Sequence, residues 1–243
     1  MERVLEGICT HLVDGDLVRN IKSLRTSQDL FDDLADDESE SQVAHLLRNT
    51  VHPPGYRRPT VIARPFDLAA YSNAIRYPFV VWTQSRYSNG TFGVWYGADT
   101  LETSVHETVY HWVKWLNDLT YSEEFAKPGD PVTGERRVYR VRCDALLLDL
   151  RPKVVEFPQL VDPDKYDFTQ QLGLRLHREG HPGLLVRSAR CHGDIAAVFR
   201  EPVLSNPRDY CFLTYSGSYG GDTVVVRRDQ RDEWMKIQVE ISI

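Results

Sequence analysis

Hydrophobic residues repeat with the period of an α-helix at several places in the chain. The strongest pattern begins at Asp99, which with Glu102 three residues later fits a capping box. A helix is therefore predicted to begin there, and a second helix is predicted over residues 168–179. The apolar stripe of the first helix consists of Leu101, Val105, Val109, Trp112 and Leu116.

The first 55 residues predict a helical extension that differs in character from the rest. Ser27 can cap a short helix through Leu34, and an acidic run follows at residues 32–40. That run is either a solvated surface or a docking surface for a basic partner. Pro53-Pro54-Gly55 stops any helix and marks a boundary, so we predict two units, residues 1–55 and residues 56–243. The apolar residues at helical spacing in this extension are Leu17, Val18, Ile21 and Leu24.

Beyond residue 60, short runs of apolar, aromatic and β-branched residues predict strands. Glycines within residues 216–222 suit a hairpin loop between two of them. Strands and helices do not alternate regularly, so the predicted class is α+β, a mixed and mainly antiparallel sheet with flanking helices. The predicted extended segments are residues 60–64, 77–83, 92–96, 137–143, 146–150, 183–186, 195–199, 210–215, 223–226 and 236–243.

Composition narrows the classes of function. Hydrophobic residues make up 42% and charged residues 26% of the chain, as in an ordinary globular protein. The net charge of −6 argues against direct nucleic-acid binding. The four cysteines are scattered without Cys-x-x-Cys spacing, which argues against a zinc site and a disulfide framework. No apolar run suits a signal peptide or a membrane span, so we expect a cytoplasmic protein without a bound metal.

Residues 86–107 carry the candidate chemistry. Arg86 can clamp a pyrophosphate, because its planar guanidinium binds pairs of phosphate oxygens. Tyr87 and Tyr96 each offer a flat ring on which nicotinamide or adenine can stack. Glu107 lies nearly opposite the apolar stripe of its helix, where a carboxylate can stabilise the cation that forms when a glycosidic bond breaks. Together these groups suit cleavage of the nicotinamide–ribose bond of NAD.

Each candidate also has a simpler explanation. Arginine in a polar loop and glutamate on a helix are usually solvated, and the two tyrosines suit half-buried strands. Ser188 follows the apolar run 183–186, and its hydroxyl either forms a turn or bonds a ribose or the nicotinamide amide. No base stands at a spacing that would make it a nucleophile. Cys191 and His192 are adjacent, whereas catalytic partners usually meet in space rather than in sequence.

The layout resembles the RES-domain family, which is named for an arginine, a glutamate and a serine. The resemblance covers about residues 60–205. Members are typically toxins of bacterial toxin–antitoxin pairs, neutralised by a partner with a helix-turn-helix domain. Their fold is related to that of ADP-ribosyltransferases, and they act on NAD. The residues that carry the resemblance are Arg86-Tyr87, the turn at residues 90–93, Tyr96, the helix into residues 107–111, and Ser188 ahead of residues 195–199.

The resemblance implies a role for each candidate residue. Arg86, Glu107 and Ser188 take the named catalytic roles, and Tyr96 lines the nicotinamide pocket. Arg64 corresponds to a further arginine that faces the phosphates. The long interval between Glu107 and Ser188 leaves Ser205 as an alternative serine.

The resemblance also implies an activity with several open acceptors. NAD is a substrate rather than a cofactor, and water, phosphate or a protein side chain receives the ADP-ribosyl group. The alternatives are a mono-ADP-ribosyltransferase with a defined protein target and a non-catalytic module that binds NAD or a partner. A helix-turn-helix antitoxin is the expected partner, and self-association into a homo-oligomer stays open.

Overall fold

The structure is a computed structural model that describes residues 2–23, 72–120, 127–229 and 232–240. Several predictions lie outside these residues: the helix from Ser27, the acidic run at residues 32–40, the strand at residues 60–64 and the phosphate-facing Arg64. The boundary at residue 55 also lies outside them and stays a prediction.

Short helices and turns surround a large sheet. The described helices are α1 (Glu2–Leu5), α2 (Tyr77–Val80), α3 (Leu101–Thr120) and α4 (Asp167–Arg178). A π-helical turn (Ser72–Arg76) precedes α2, and 3-10 turns cover Arg151–Val154, Pro158–Val161 and Glu201–Val203. The strands are β1 (Cys9–Lys22), β2 (Gln84–Ser85), β3 (Ser88–Asn89), β4 (Trp95–Ala98), β5 (Pro131–Asp149), β6 (Gly183–Arg187), β7 (Asp194–Val198), β8 (Leu204–Ser218), β9 (Thr223–Arg228) and β10 (Glu233–Gln238).

Five strands close into a ring in the order β1-β4-β7-β6-β5, because β1 pairs with both β4 and β5. The β5–β6 pairing is parallel, and the other pairings of the ring are antiparallel. From β5 the sheet continues through β8, β9 and β10, all antiparallel. The predicted class, α+β with a mixed and mainly antiparallel sheet, is confirmed.

Three buried clusters stabilise this arrangement. One takes side chains from all five strands of the ring, among them Leu17, Trp95 and Val141. In the second cluster, α3 packs its apolar stripe on β8 and β9, and the stripe residues predicted from the sequence are all buried. In the third, Leu172 and Leu176 of α4 cover β6. Helices α3 and α4 therefore flank the sheet through their apolar faces.

The helical prediction for the N-terminal extension is wrong where the structure describes it. Cys9–Lys22 form β1, which pairs with β5 along its whole length from Cys9↔Asp149 to Lys22↔Arg136. Leu17 and Val18 are adjacent, yet both are buried, because the two faces of β1 meet different clusters. A strand covered on both faces loses the apolar–polar alternation that identifies strands in a sequence.

Three local predictions also need correction. The segment predicted as extended at residues 77–83 begins with α2, whose first turn contains Pro78, a position where proline needs no hydrogen-bonded N–H. The cap of α3 is Thr100 rather than Asp99, since the Thr103 amide donates to Thr100 Oγ1 at 3.1 Å. Asp99 instead accepts a hydrogen bond from the Asp194 amide at 3.0 Å. The strands predicted at residues 137–143 and 146–150 form the single strand β5.

Candidate functional site

The structure brings Glu107 and Ser188 into direct contact, although they lie 81 positions apart in sequence. Ser188 Oγ donates a hydrogen bond of 2.5 Å to Glu107 Oε1. Glu107 is in the second turn of α3, on its polar side, and Ser188 directly follows β6. In the part of the chain that the structure describes, we find no hydrogen bond to Glu107 Oε2. One carboxylate oxygen is thus fixed by a hydrogen bond, and the other is not.

A tight turn between β6 and β7 holds Ser188 in place. The Ser188 amide donates to Gly193 O at 2.8 Å, and Ser188 Oγ accepts hydrogen bonds from the Arg190 and Cys191 amides at 3.0 and 3.3 Å. Gly193 lies so close to α3 that an added Cβ would come within 2.0 Å of Thr103 Oγ1. The turn therefore docks on the first turn of the helix that carries Glu107.

Arg86 occupies a small hairpin beside this pair. Residues 86 and 87 form the two-residue turn between β2 and β3, where Ser85 pairs with Ser88. The Tyr96 hydroxyl hydrogen-bonds with Ser85 Oγ at 2.9 Å and accepts from the Tyr87 amide at 3.0 Å. Burial, opposed by these hydrogen bonds and by Arg86, raises the pKa of Tyr96 to about 12. Tyr96 thus positions the hairpin, and its half-buried ring still borders the site.

Helix α4 packs against the same hairpin. Gln170 donates to Ser85 O at 3.0 Å. An added Cβ at Gly173 would come within 2.0 Å of Tyr87 O, so only glycine permits this approach. Tyr87 is fully buried, and burial raises the pKa of its phenol; Arg86 opposes this rise, whereas Tyr96 and Glu107 add to it. The stacking predicted for Tyr87 needs an accessible ring face, which this structure does not give it.

The Arg86 side chain is held by the loop at residues 162–166. Its Nη1 donates to Asp162 O at 2.6 Å, and its guanidinium lies 4.5 Å from the centre of the Tyr166 ring. Asp162 Oδ1 in turn accepts the Asp164 and Lys165 amides at 2.9 and 2.8 Å, which fixes the shape of the loop. The loop thereby orients the guanidinium through its backbone without neutralising it.

Arg190 and Tyr110 also belong to this neighbourhood, although neither was assigned a role from the sequence. The Arg190 guanidinium carbon lies 3.2 Å from the centre of the Tyr110 ring, and its Nη2 donates to Pro163 O at 2.6 Å. Tyr110 follows Glu107 by one helical turn, and its hydroxyl donates to Asp164 Oδ1 at 2.7 Å. The available signal was that Tyr110 lies three residues after Glu107 and that Arg190 lies two residues after Ser188.

His111 is a further residue of this neighbourhood and lies within electrostatic range of several of its charged groups. His111 is exposed, yet the protein atoms packed around its ring lower its pKa. Glu107 opposes this shift, and Arg190, Arg86 and Lys114 add to it. Arg86, Glu107 and Arg190 therefore lie close enough to act electrostatically on the same side chain.

A cavity of about 480 Å³ adjoins Ser188. It is lined by Val154, Val161, Arg187, Ser188, Cys191 and His192. Cys191 is a free thiol whose Sγ lies 3.6 Å from Ser188 Oγ. Ser205, the alternative serine, is exposed on β8 and pairs with Arg142 of β5. Within the described ranges no cluster of three or more His, Cys, Asp or Glu side chains suits a metal ion, and no helix is long and apolar enough to cross a membrane.

Comparisons with known proteins agree with the family resemblance seen in the sequence. The model of the RES domain matches residues 54–215, a span that contains Arg86, Glu107 and Ser188 and excludes β1, β9 and β10. Among solved structures, the chain is similar to one described as the M. tuberculosis MbcT–MbcA toxin–antitoxin complex, with 13% identity and a TM-score of 0.44. That similarity covers 86% of this chain and 90% of the other. No curated protein matches the chain significantly.

Proposed function

The chain belongs to the RES-domain family, and on that premise we propose that it cleaves the nicotinamide–ribose bond of NAD. The observation that carries the proposal is the contact between Ser188 and Glu107 beside an arginine that has no carboxylate partner within the described residues. A carboxylate with one oxygen fixed and the other open can face the anomeric carbon of a ribose. A neighbouring guanidinium can hold the phosphates.

Glu107 supplies the electrostatic stabilisation. As the bond to the pyridinium breaks, positive charge develops on the ribose, and a carboxylate held in place stabilises that charge more than it stabilises the bound substrate. The nicotinamide leaves as a neutral molecule, so the leaving group needs no general acid. Glu107 also positions the acceptor that attacks the ribose.

In this mechanism Ser188 positions the carboxylate of Glu107. Its proton is committed to Glu107 Oε1, and its oxygen accepts two backbone amides. The hydroxyl therefore fixes the rotamer of the carboxylate, a positioning role that replaces the bond to nicotinamide considered from the sequence. Arg86 binds the pyrophosphate, and the ring of Tyr96 borders the nicotinamide.

The biological role we propose is that of a toxin in a toxin–antitoxin pair, in which depletion of NAD is the toxic effect. Membership of the RES-domain family supports this role, because typical members are such toxins. A helix-turn-helix protein is the proposed antitoxin. The partner would act most directly by covering the cleft between α3 and the turn after β6.

The test is incubation of the purified protein with NAD and chromatographic detection of nicotinamide. Glu107→Gln preserves the shape of the side chain and removes the charge, so its turnover should fall far more than its affinity for NAD. Equal losses in turnover and affinity would contradict the role given to Glu107. Release of nicotinamide at the wild-type rate by the variant would reveal a contaminating enzyme.

The second product identifies the acceptor. Free ADP-ribose indicates hydrolysis, a phosphorylated ADP-ribose that requires added phosphate indicates phosphorolysis, and a modified protein detected by mass spectrometry indicates ADP-ribosyl transfer. Binding of NAD without release of nicotinamide would contradict the enzymatic proposal and favour a binding module.

A further inference from the structure

Arg190 resembles Arg86 in the way the protein holds it. Each guanidinium lies against a tyrosine ring, Arg190 on Tyr110 and Arg86 on Tyr166. Each donates to a backbone carbonyl of the loop at residues 162–166, Arg190 to Pro163 O and Arg86 to Asp162 O, both at 2.6 Å. One loop thus orients two arginines that come from distant parts of the chain.

Neither of these arginines forms a salt bridge with a carboxylate in the described part of the chain, and the nearby carboxylate of Asp162, whose pKa Arg86 helps to lower, interacts with Arg86 only at a longer distance. The ion pairs found there involve other arginines, such as Arg151 with Asp149 and Asp194, and Arg187 with Asp194. The Nε of Arg190 is buried and lacks a hydrogen-bond partner in the described structure. A buried guanidinium nitrogen without a partner is costly, so the contacts that Arg190 makes with the protein do not satisfy all of its donors.

Arg190 also lies at the catalytic pair itself. Its backbone amide donates to Ser188 Oγ at 3.0 Å, and its guanidinium rests on the residue one turn beyond Glu107. One cation beside Glu107 would only offset the carboxylate. A second cation leaves positive charge for a ligand that carries more than one negative charge, and stacking on tyrosine leaves the in-plane N–H groups free for phosphate oxygens.

We propose that Arg190 is a second anion-binding residue of the site, and that Arg86 and Arg190 together select ligands with two adjacent phosphates. The ligand class is a nucleoside diphosphate or a dinucleotide, with the pyrophosphate held between the two guanidiniums. This inference rests on the proposed function for the identity of the substrate, and the arrangement of the two arginines carries it independently of the chemistry.

The experiment measures binding of ADP, AMP and adenosine to the purified protein by calorimetry. The variant Arg190→Gln keeps a donor for Pro163 O and removes the charge, and Arg190→Ala removes both. We expect both variants to bind ADP about 10- to 100-fold more weakly, the range for a lost hydrogen bond to a charged group, and adenosine with unchanged affinity. Arg227→Ala, which removes an exposed positive charge on β9, is the matched control and should bind ADP like the wild type.

The outcomes separate this inference from its alternatives. A merely structural arginine that pins the loop would give Arg190→Gln wild-type affinity for ADP, or would weaken ADP and adenosine equally in Arg190→Ala. Either result overturns the inference, as does failure of the wild type to bind ADP more tightly than adenosine. Arg190-dependent ADP binding without cleavage of NAD would refute the proposed function alone. Cleavage of NAD with a KM independent of Arg190 would refute this inference alone.

Discussion

Replacement of Ser188 by alanine tests the mechanism most directly, because the structure gives this hydroxyl one charged partner. Ser188→Ala removes the 2.5 Å hydrogen bond to Glu107 Oε1 and leaves the carboxylate free to rotate. A hydrogen bond to a charged group contributes about 1.5–3 kcal/mol, and about 1.4 kcal/mol corresponds to a factor of ten in rate. We therefore expect kcat for NAD cleavage to fall roughly 10- to 150-fold.

The KM for NAD separates positioning from direct binding. If Ser188 acts through Glu107, Ser188→Ala should leave KM nearly unchanged, because the hydroxyl makes no contact with substrate. A double-mutant cycle with Glu107→Gln sharpens the test, since two residues that act as one unit give non-additive effects. The double variant should be no slower than Glu107→Gln alone.

Two results would refute this reasoning. Additive losses in the double variant would show that Ser188 contributes independently of Glu107. A large rise in KM with unchanged kcat would place the hydroxyl on the substrate, as the sequence first suggested. Thermal unfolding of each variant provides the control, because the amides of Arg190 and Cys191 also lose their acceptor in Ser188→Ala.

Two further predictions concern the hairpin that carries Arg86. Gly173→Ala should lower the free energy of unfolding by about 1–3 kcal/mol in urea denaturation, because the new methyl group would meet Tyr87 O. Gly15→Ala is the control and should not lower it, because the space around Gly15 is open. Equal stability of the two variants would contradict the packing described. Tyr96→Phe should cost about 1–2 kcal/mol at neutral pH through its lost hydrogen bonds. The raised pKa of Tyr96 means that its neutral phenol stabilises the fold fully below pH 10 and less as the pH rises to about 12. Stability of the Tyr96→Phe variant should therefore decline less steeply in that window, and an unchanged slope would contradict the prediction.

The elements that follow one rule of periodicity were predictable from the sequence. Helix α3 has one buried stripe and one polar side, so the spacing from Leu101 to Leu116 identified it correctly. Helix α4 and strands β6 and β7 were placed within a residue or two of their observed ends. The α+β class followed from the order of these elements.

The failures have a shared physical cause, which is that tertiary contacts decided the local structure. The second half of strand β1 is covered on both faces, so its apolar residues do not alternate and were taken for a helix. The cap of α3 moved to Thr100 because Asp99 binds the amide of a residue far away in sequence.

In the candidate site, too, some features were predictable from the sequence and others were not. The family resemblance implied that Glu107 and Ser188 belong to one site, but their hydrogen bond was not predicted, because no spacing rule links residues so far apart. Arg190 was missed because its importance depends on Tyr110 and the loop at residues 162–166, which only the folded chain brings together.

The closure of the ring by β1 has a consequence for how the protein is made. Synthesis delivers β1 first, yet its long partner emerges more than a hundred residues later, since Lys22 pairs with Arg136. Contacts between such distant segments slow folding, and an unpaired strand edge invites association with other chains in the meantime. The ring, and with it the turn after β6 that carries Ser188, is thus incomplete until its last strand, β7, has left the ribosome.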